Sequence, residues 1–232
     1  MKIASFILLF ILSVVTVFAQ HISNKNVGIL AGPNRSLLSG SFDLPYTLPS
    51  THFTGGLSAE TEFSKHFSLC ASLLYERIGN IGNANYACFN TDNDDHYGDF
   101  SAHVNFDYII MPVMLKMQTR NKLRFFCELG PNISYLLTQY TFYDWVNFKD
   151  GVVNDYDSYK KINIGFTAGL GFSLPLSYDT QVSIECRNNH GLYDINNLNS
   201  LNKSIRTNSY NALLGLTYLL NQGKPYEAIQ HW

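Results

Sequence analysis

The segment 90–99 carries the densest group of side chains that could bind a metal ion. It reads NTDNDDHYGD and holds four carboxylates and two asparagine amides. Hard cations such as Ca²⁺ take six to eight oxygen ligands, but the segment lacks the spacing and the bidentate Glu of an EF-hand loop. We expect an acidic solvated loop. Calcium binding is the alternative, and its candidate ligands are Asp92, Asp94, Asp95 and Asp99.

Two histidines are the remaining candidates for acid–base chemistry. His103 and His190 fall near the ends of predicted strands, with Ser101 and Asp194 nearby. Such groups could form a hydrolase or acyltransferase site where those strands end. The chain contains neither G-x-S-x-G nor H-E-x-x-H, so no motif supports that site. We expect no enzymatic activity and no cofactor.

Charged residues also occur among the polar residues that alternate with apolar ones along the chain. If such strands close into a narrow barrel, this polar row faces the lumen, where an isolated charge is costly and a paired charge much less so. We expect a lumen charge network that fills the interior, and an open pore is the rival interpretation. The predicted network comprises Glu60, Glu62, Glu76, Lys116, Arg124, Glu128, Lys161, Glu185 and Arg187.

The overall composition excludes several classes of protein. The 232 residues include 16 Lys+Arg and 18 Asp+Glu, a net charge of −2, so the chain lacks the basic surface that nucleic-acid binding requires. Charged residues make up 15% and aromatics 14%, which argues against disorder. The four cysteines form no C-x-x-C, so we expect neither a zinc knuckle nor a redox motif. Cys70 falls on the polar row that would face the lumen, Cys127 and Cys186 on the apolar row and Cys88 in a loop, so we expect free thiols.

The first residues are typical of a secretory signal peptide. Met1 and Lys2 provide a positive start, residues 3–18 are almost wholly apolar, and small residues precede Gln20. We predict cleavage after Ala19 and export of the mature chain, with an uncleaved membrane anchor as the alternative.

The rest of the chain shows a period of two. Residues 162–174 are apolar at every even position, while the residues between them are polar or tiny, which indicates a β-strand. Similar alternation recurs, and only 108–117 is apolar on both faces. We predict eight strands, around residues 27–32, 53–64, 67–76, 108–117, 123–130, 162–174, 181–187 and 209–220.

The predicted connections fall into two groups. Three are tight, at 65–66, 120–122 and 177–180, and four are long and polar, at roughly 35–52, 79–101, 141–159 and 192–206. This segregation is typical of an antiparallel up-and-down barrel. In outer-membrane barrels the short turns are periplasmic and the long loops extracellular.

Two barrel architectures fit this pattern. A soluble calyx places apolar residues inside, whereas a transmembrane barrel places them against lipid. The predicted strands exceed the usual 5–6 residues, Gly, Ser and Thr dominate the polar row, and aromatics gather at both strand ends. We therefore predict an all-β fold: an eight-stranded antiparallel up-and-down transmembrane β-barrel with short periplasmic turns and long extracellular loops.

Two segments resemble the PorT-like outer-membrane β-barrel proteins. Residues 26–34, NVGILAGPN, resemble the first strand of that family, and residues 106–116, FDYIIMPVMLK, resemble its central strand. The resemblance implies an integral outer-membrane barrel without shared catalytic residues. Gly215, Tyr218 and Leu220 fit the spacing of a closing strand, although twelve residues follow them.

The sequence thus predicts a signal peptide at 1–19, a barrel domain at 20–220 and a short periplasmic tail at 221–232. We expect a non-enzymatic protein of the bacterial outer membrane that binds through its extracellular loops or belongs to an export or envelope assembly. A rim enzyme acting on lipid or peptide, and a soluble periplasmic calyx, are the alternatives. Expected partners are the lipid bilayer, the barrel-assembly and periplasmic chaperone machinery, and an envelope protein or extracellular ligand, but no nucleic acid.

Overall fold

The computed structural model describes residues 24–40, 46–91, 94–145, 151–154, 156–197 and 204–220. For 24, 46–47, 83–91, 94–100, 144–145 and 151 the description covers the backbone alone. The predicted signal peptide, the predicted tail and Asp92 lie outside the described residues. No helix in these ranges is long and apolar enough to cross a membrane.

Nearly all of the described chain is β-strand. A single short 3-10 turn, Tyr156–Ser158, interrupts the strands. The strands are β1 Asn24–Gly40, β2 Tyr46–Glu62, β3 Phe67–Thr91, β4 Asp94–Gln118, β5 Arg124–Trp145, β6 Gly151–Val153, β7 Ile162–Pro175, β8 Thr180–Gly191 and β9 Ile205–Leu219.

Eight of these strands form a closed antiparallel barrel. Each of β1–β5 and β7–β9 pairs with a neighbour on both sides, and the first and last strands meet, with Ile29 opposite Leu216. The three-residue β6 pairs with residues 141–143 of β5. Where all eight strands are present, closure leaves no unpaired sheet edge, so the backbone N–H and C=O groups of the wall hydrogen-bond to neighbouring strands. The predicted eight-stranded fold is confirmed.

The alternating residues divide between the two faces as the sequence predicts. On β7, Phe166 and Leu170 point outward and are 44% and 67% exposed. Thr167 between them is fully buried in the lumen. Its hydroxyl donates to Asn189 Oδ1 at 2.8 Å and accepts from Asn132 Nδ2 at 2.8 Å. This part of the wall is therefore apolar outside and polar inside, as in transmembrane barrels.

The two ends of the barrel differ. At one, the turn end, the connections 63–66, 119–123 and 176–179 are short, and β1 begins there and β9 ends there. Exposed aromatic rings surround this end, as the sequence predicts: Phe63, Phe67, Phe125, Phe172 and Tyr218.

At the opposite end, the loop end, the strands run further than the alternation predicts. β3 and β4 stay paired through Cys88–His96 to Thr91–Asp94, so most of the predicted loop 79–101 is a hairpin. β1 and β2 likewise extend to Gly40 and back from Tyr46. Backbone pairing continues here without an apolar face, because the ladder hydrogen bonds do not depend on side-chain type.

The face assignment predicts which positions tolerate a charge. In lipid vesicles, Phe166→Arg or Leu170→Arg should lower the free energy of unfolding by about 2–4 kcal/mol, because both side chains lie mid-strand on the outer wall. Leu176→Arg is the matched control: Leu176 is 66% exposed but lies in a turn, and its change should have a much smaller effect. Urea unfolding of the vesicle-folded variants measures the difference, and equal losses at Leu170 and Leu176 would contradict the assignment.

Candidate functional site

The lumen contains the charged residues that the sequence singles out, arranged in layers. In the layer nearest the turn end, Lys116 Nζ lies 2.8 Å from Glu60 Oε2 and 4.2 Å from the centre of the Phe126 ring. Ser68 Oγ donates to the other Glu60 oxygen at 2.6 Å. Lys116 is 6% exposed, so the pair is shielded from bulk solvent.

The second layer is built around Arg187. Its Nε lies 2.6 Å from Glu128 Oε1, and its Nη2 lies 3.0 Å from Glu185 Oε1. Nη1 donates to Ser72 Oγ at 3.2 Å, so the guanidinium reaches across the lumen from β8 to β3. All three charged side chains are at least 96% buried. One arginine here serves two carboxylates.

A glycine makes this layer possible. Glu128 on β5 and Arg187 on β8 are separated by β7, where Gly169 stands directly between them in register. A Cβ at this position would lie 2.6 Å from Glu128 Oε1 and 3.2 Å from Arg187 Cγ. Because residue 169 has no side chain, the carboxylate and the guanidinium can meet across an intervening strand.

The third layer surrounds Glu76, which is fully buried. Asn34 Nδ2 donates to Glu76 Oε1 at 3.2 Å, and Asn189 Nδ2 donates to Oε2 at 2.9 Å. The Asn132–Thr167–Asn189 chain described above therefore ends on this carboxylate. In contrast to the other two layers, where a cation contacts the carboxylates, Asn34 and Asn189 are neutral donors.

Strand β3 sets the order of the layers. Ser68, Ser72 and Glu76 follow one another at intervals of four residues, and each contributes to one layer. Leu74, on the same inward row, packs with Leu30 and Leu213 between the second and third layers. These side chains fill an interior whose width, with eight strands, only just accommodates side chains.

An apolar cap fills the lumen on the loop-end side of Glu76. The cap is defined by its buried members Leu38, Ile78, Val104, Phe106, Tyr108, Ile110, Leu136, Ile195 and Ile205. Tyr159 packs edge-on against Phe106, with ring centroids 4.7 Å apart. Ile195 is completely buried although it belongs to a connection rather than a strand.

Two connections hold the cap in place by hydrogen-bonding to each other. Lys160 N donates to Ile195 O at 2.8 Å, and Asn197 N donates to Ser158 O at 3.0 Å. The Asp194 carboxylate accepts from the backbone N–H groups of Asn196 and Ile205. Burial opposes ionisation of Asp194, but these N–H groups outweigh it and hold its pKa below the ordinary value.

Three residues of the predicted network lie apart from the layers. Glu62 accepts a long hydrogen bond from Gln118 Nε2, at 3.5 Å, and Arg124 begins β5, both at the turn end. Lys161 is half exposed and directly precedes β7, and its Nζ lies 4.6 Å from the centre of the Tyr156 ring and 4.0 Å from Asp157 Oδ1.

The structure separates the two candidate histidines. His103 on β4 lies beside the Phe142 ring, with centroids 6.2 Å apart. His190 is exposed on β8, and β5 and β7 stand between the two strands. Asp194 is engaged by backbone N–H groups. The geometry therefore does not assemble these residues into one rim site.

The remaining candidates concern metal and thiol chemistry. Asp94, Asp95 and Asp99 fall on β4, where the description covers the backbone alone, so the calcium hypothesis stays a prediction. Among residues with described side chains, no group of three potential metal ligands occurs. Cys70, Cys127 and Cys186 are free thiols, and Cys70 lies in the lumen as predicted.

Sequence reasoning missed a polar cluster on the outer wall. Arg77 forms a bidentate pair with Asp107, at 2.6 and 3.1 Å, and donates to Tyr75 Oη at 3.2 Å. Arg77 lies ten residues along β3 from Phe67, which corresponds to about 25 Å across a membrane for a tilted strand. The pair therefore marks the loop-end edge of the apolar band. The break in apolar alternation after Tyr75 was the available signal.

The buried Arg187 cluster generates a stability prediction. Arg187→Met should lower the free energy of unfolding by about 3–5 kcal/mol, because it leaves the carboxylates of Glu128 and Glu185 buried without their cation. Lys161→Met removes a half-exposed cation and should have little effect. Urea unfolding of the refolded barrels provides the measurement, and similar losses for both variants would refute a special role for the buried cluster.

Comparison with solved structures finds small outer-membrane barrels. Ail of Yersinia pestis, solved with the heparin analogue sucrose octasulfate, is 9% identical, with 86% of this chain and 100% of that chain covered and a TM-score of 0.41. OprG of Pseudomonas aeruginosa is 12% identical, with 87% and 98% covered and a TM-score of 0.46. Neisserial surface protein A is 15% identical, with 83% and 96% covered and a TM-score of 0.39. No curated protein matches the chain.

A family model provides the assignment. The model of the outer membrane protein beta-barrel domain matches residues 18–197, which is more than half of the chain. The matched range contains β1–β8 and the Glu60, Arg187 and Glu76 layers. A closed barrel with an apolar outer wall is the architecture expected of such a domain. The chain belongs to the outer membrane protein beta-barrel domain family and is an integral protein of the bacterial outer membrane.

Proposed function

We propose that this protein is a closed, non-enzymatic barrel that displays a recognition surface at its loop end. The observation that carries the proposal is the unequal height of the wall. Asn189 donates to Glu76, so these two residues mark the same layer on β8 and β3. From that layer β8 continues for two residues, to Gly191, whereas β3 continues for fifteen, to Thr91.

The taller side of the wall is a two-stranded projection. β2 pairs with β3 up to Asn83 and β5 pairs with β4 up to Phe100, so only the β3–β4 hairpin continues beyond them. The eight residues 84–91 of β3 span about 25 Å along the strand. The projecting segment 83–100 contains four Asp and no Lys or Arg, together with four aromatic residues. This composition favours a ligand or partner with basic groups, and aromatic side chains are common in binding surfaces.

The filled interior supports a role at the surface rather than transport. Three polar layers and the apolar cap occupy the lumen in succession, and the cap is fastened by hydrogen bonds between two connections. A solute would have to displace buried ion pairs to pass. Recognition at the projection requires no such opening.

We further propose that the loop end faces the medium and the turn end the periplasm. This orientation follows the general arrangement of outer-membrane barrels, in which the short turns are periplasmic. Two further features agree with this orientation. One is the predicted signal peptide, and the other is that β1 begins and β9 ends at the turn end.

Epitope insertion tests the proposal in intact cells. An epitope inserted after Asp94 should be labelled by antibody without permeabilisation, because Asp94 and Thr91 form the last described pair of the projection. An epitope beside Asn121, in a turn-end connection, is the matched control and should be labelled only after lysis. Labelling of the Asn121 site alone would show that the barrel has the opposite orientation, with its turn end facing the medium. Labelling of neither site before lysis, with both reached afterwards, would favour a periplasmic calyx and refute a surface role.

A further inference from the structure

Strand β3 has a free edge beyond the wall of the barrel. Its pairing with β2 ends at Asn83, whereas its pairing with β4 continues to Thr91. Among the residues that the structure describes, only β4 pairs with β3 beyond Asn83. The first residue of this edge, Ala84, lies seven residues past Arg77, which marks the border of the apolar band. The edge therefore lies outside the hydrocarbon of the membrane.

The ladder shows which peptide groups of β3 bond β4. In an antiparallel pair, successive residues of a strand alternate between bonding the partner and facing away from it. At the turn end Gln118 N donates to His66 O at 2.8 Å, and the register stays constant from there as far as Cys88. The even-numbered residues of β3 therefore bond β4 throughout this stretch.

The odd-numbered residues of β3 direct their peptide groups to the opposite side. The N–H of Gly79 donates to Ser36 Oγ at 2.9 Å, and its C=O accepts from the same hydroxyl at 3.2 Å. Ser36 belongs to β1, which lies on the side of β3 away from β4. By the same alternation, the N–H and C=O groups of Asn85 and Ala87 point out from the free edge.

The sequence of this edge lacks the features that usually protect an exposed strand. Residues 84–91 read ANYACFNT and contain no charged residue and no proline. Charged residues and prolines are common means by which edge strands avoid pairing with other chains. The outer edge of β4, residues 94–99, instead contains three Asp and one Gly. The β3 edge is therefore the one suited to pair with another strand.

We propose that the free β3 edge, residues 84–91, binds an extended basic segment of a partner protein by adding it as a further strand. The proposal rests on the surface role proposed above and names the class of partner. Backbone hydrogen bonds supply the affinity, as in other cases of strand addition. The four Asp of 83–100, which has no Lys or Arg, favour a segment that carries basic residues. A second copy of this chain fits less well, because it would bring two acidic hairpins together.

Two matched peptides test the proposal. The full-length mature barrel, folded in detergent, is titrated with a labelled eight-residue peptide of alternating lysine and threonine, and fluorescence anisotropy gives the Kd. A second peptide has the same side chains and charges, but all of its backbone amides are N-methylated. It should bind about tenfold more weakly, because it cannot donate backbone hydrogen bonds to the edge.

Proline variants test the same edge from the side of the protein. Ala87→Pro removes an N–H that points out from the edge and leaves the bonds of the even-numbered residues to β4 in place. It should weaken binding of the unmethylated peptide by about tenfold. Ala87→Val is the matched control: it keeps the N–H and should bind like the wild type. Asn85→Pro provides the same test if Ala87→Pro fails to fold.

Several results would overturn the proposal. Equal affinity for the two peptides would show that charge alone accounts for binding, and absence of binding would remove the site. A wild-type dimer that Ala87→Pro dissociates would show that a second copy occupies the edge. Surface labelling of the epitope after Asp94 without peptide binding would reject strand addition alone, whereas a failed epitope test would reject the surface role itself.

Discussion

Closure of the strand ladder is the constraint on which the rest of this structure depends. In the hydrocarbon of a membrane no water is available to hydrogen-bond a peptide group, so each strand of the wall must be paired on both sides. The β1–β9 and β4–β5 pairs complete that circle. Once eight strands close, every second side chain is directed into a lumen with little free space. The composition of the inward row follows from this geometry.

In the lumen, small residues pack next to large charged ones. Gly169 lets Glu128 and Arg187 meet across β7, and the serines of β3 complete the hydrogen bonds of both ion-pair layers. The cap then closes the loop end with side chains from strands and from connections. A barrel filled in this way suits a rigid support, and the binding surface that we propose lies on the part that projects beyond it.

The sequence predicts the wall well and the contacts within it poorly. A period of two suffices to place Phe166 outside and Thr167 inside, because the alternation of strand side chains is a local property. The partner of Arg187 is not local: Glu128 lies 59 residues away, and their meeting depends on the stagger of three strands. The burial of Ile195 was likewise not predicted, since it stands in a polar connection. The length of the β3–β4 hairpin was missed because its residues do not alternate.

Electrophoresis of the folded protein with and without boiling tests the closed membrane barrel most directly. A ladder paired on every strand should resist cold SDS, so the unboiled protein from outer membranes should migrate differently from the boiled protein. Gly169→Val, which places a side chain between Glu128 and Arg187, should shift the unboiled sample toward the unfolded position at a lower temperature. Identical migration of the wild type before and after boiling would contradict a closed, membrane-inserted barrel.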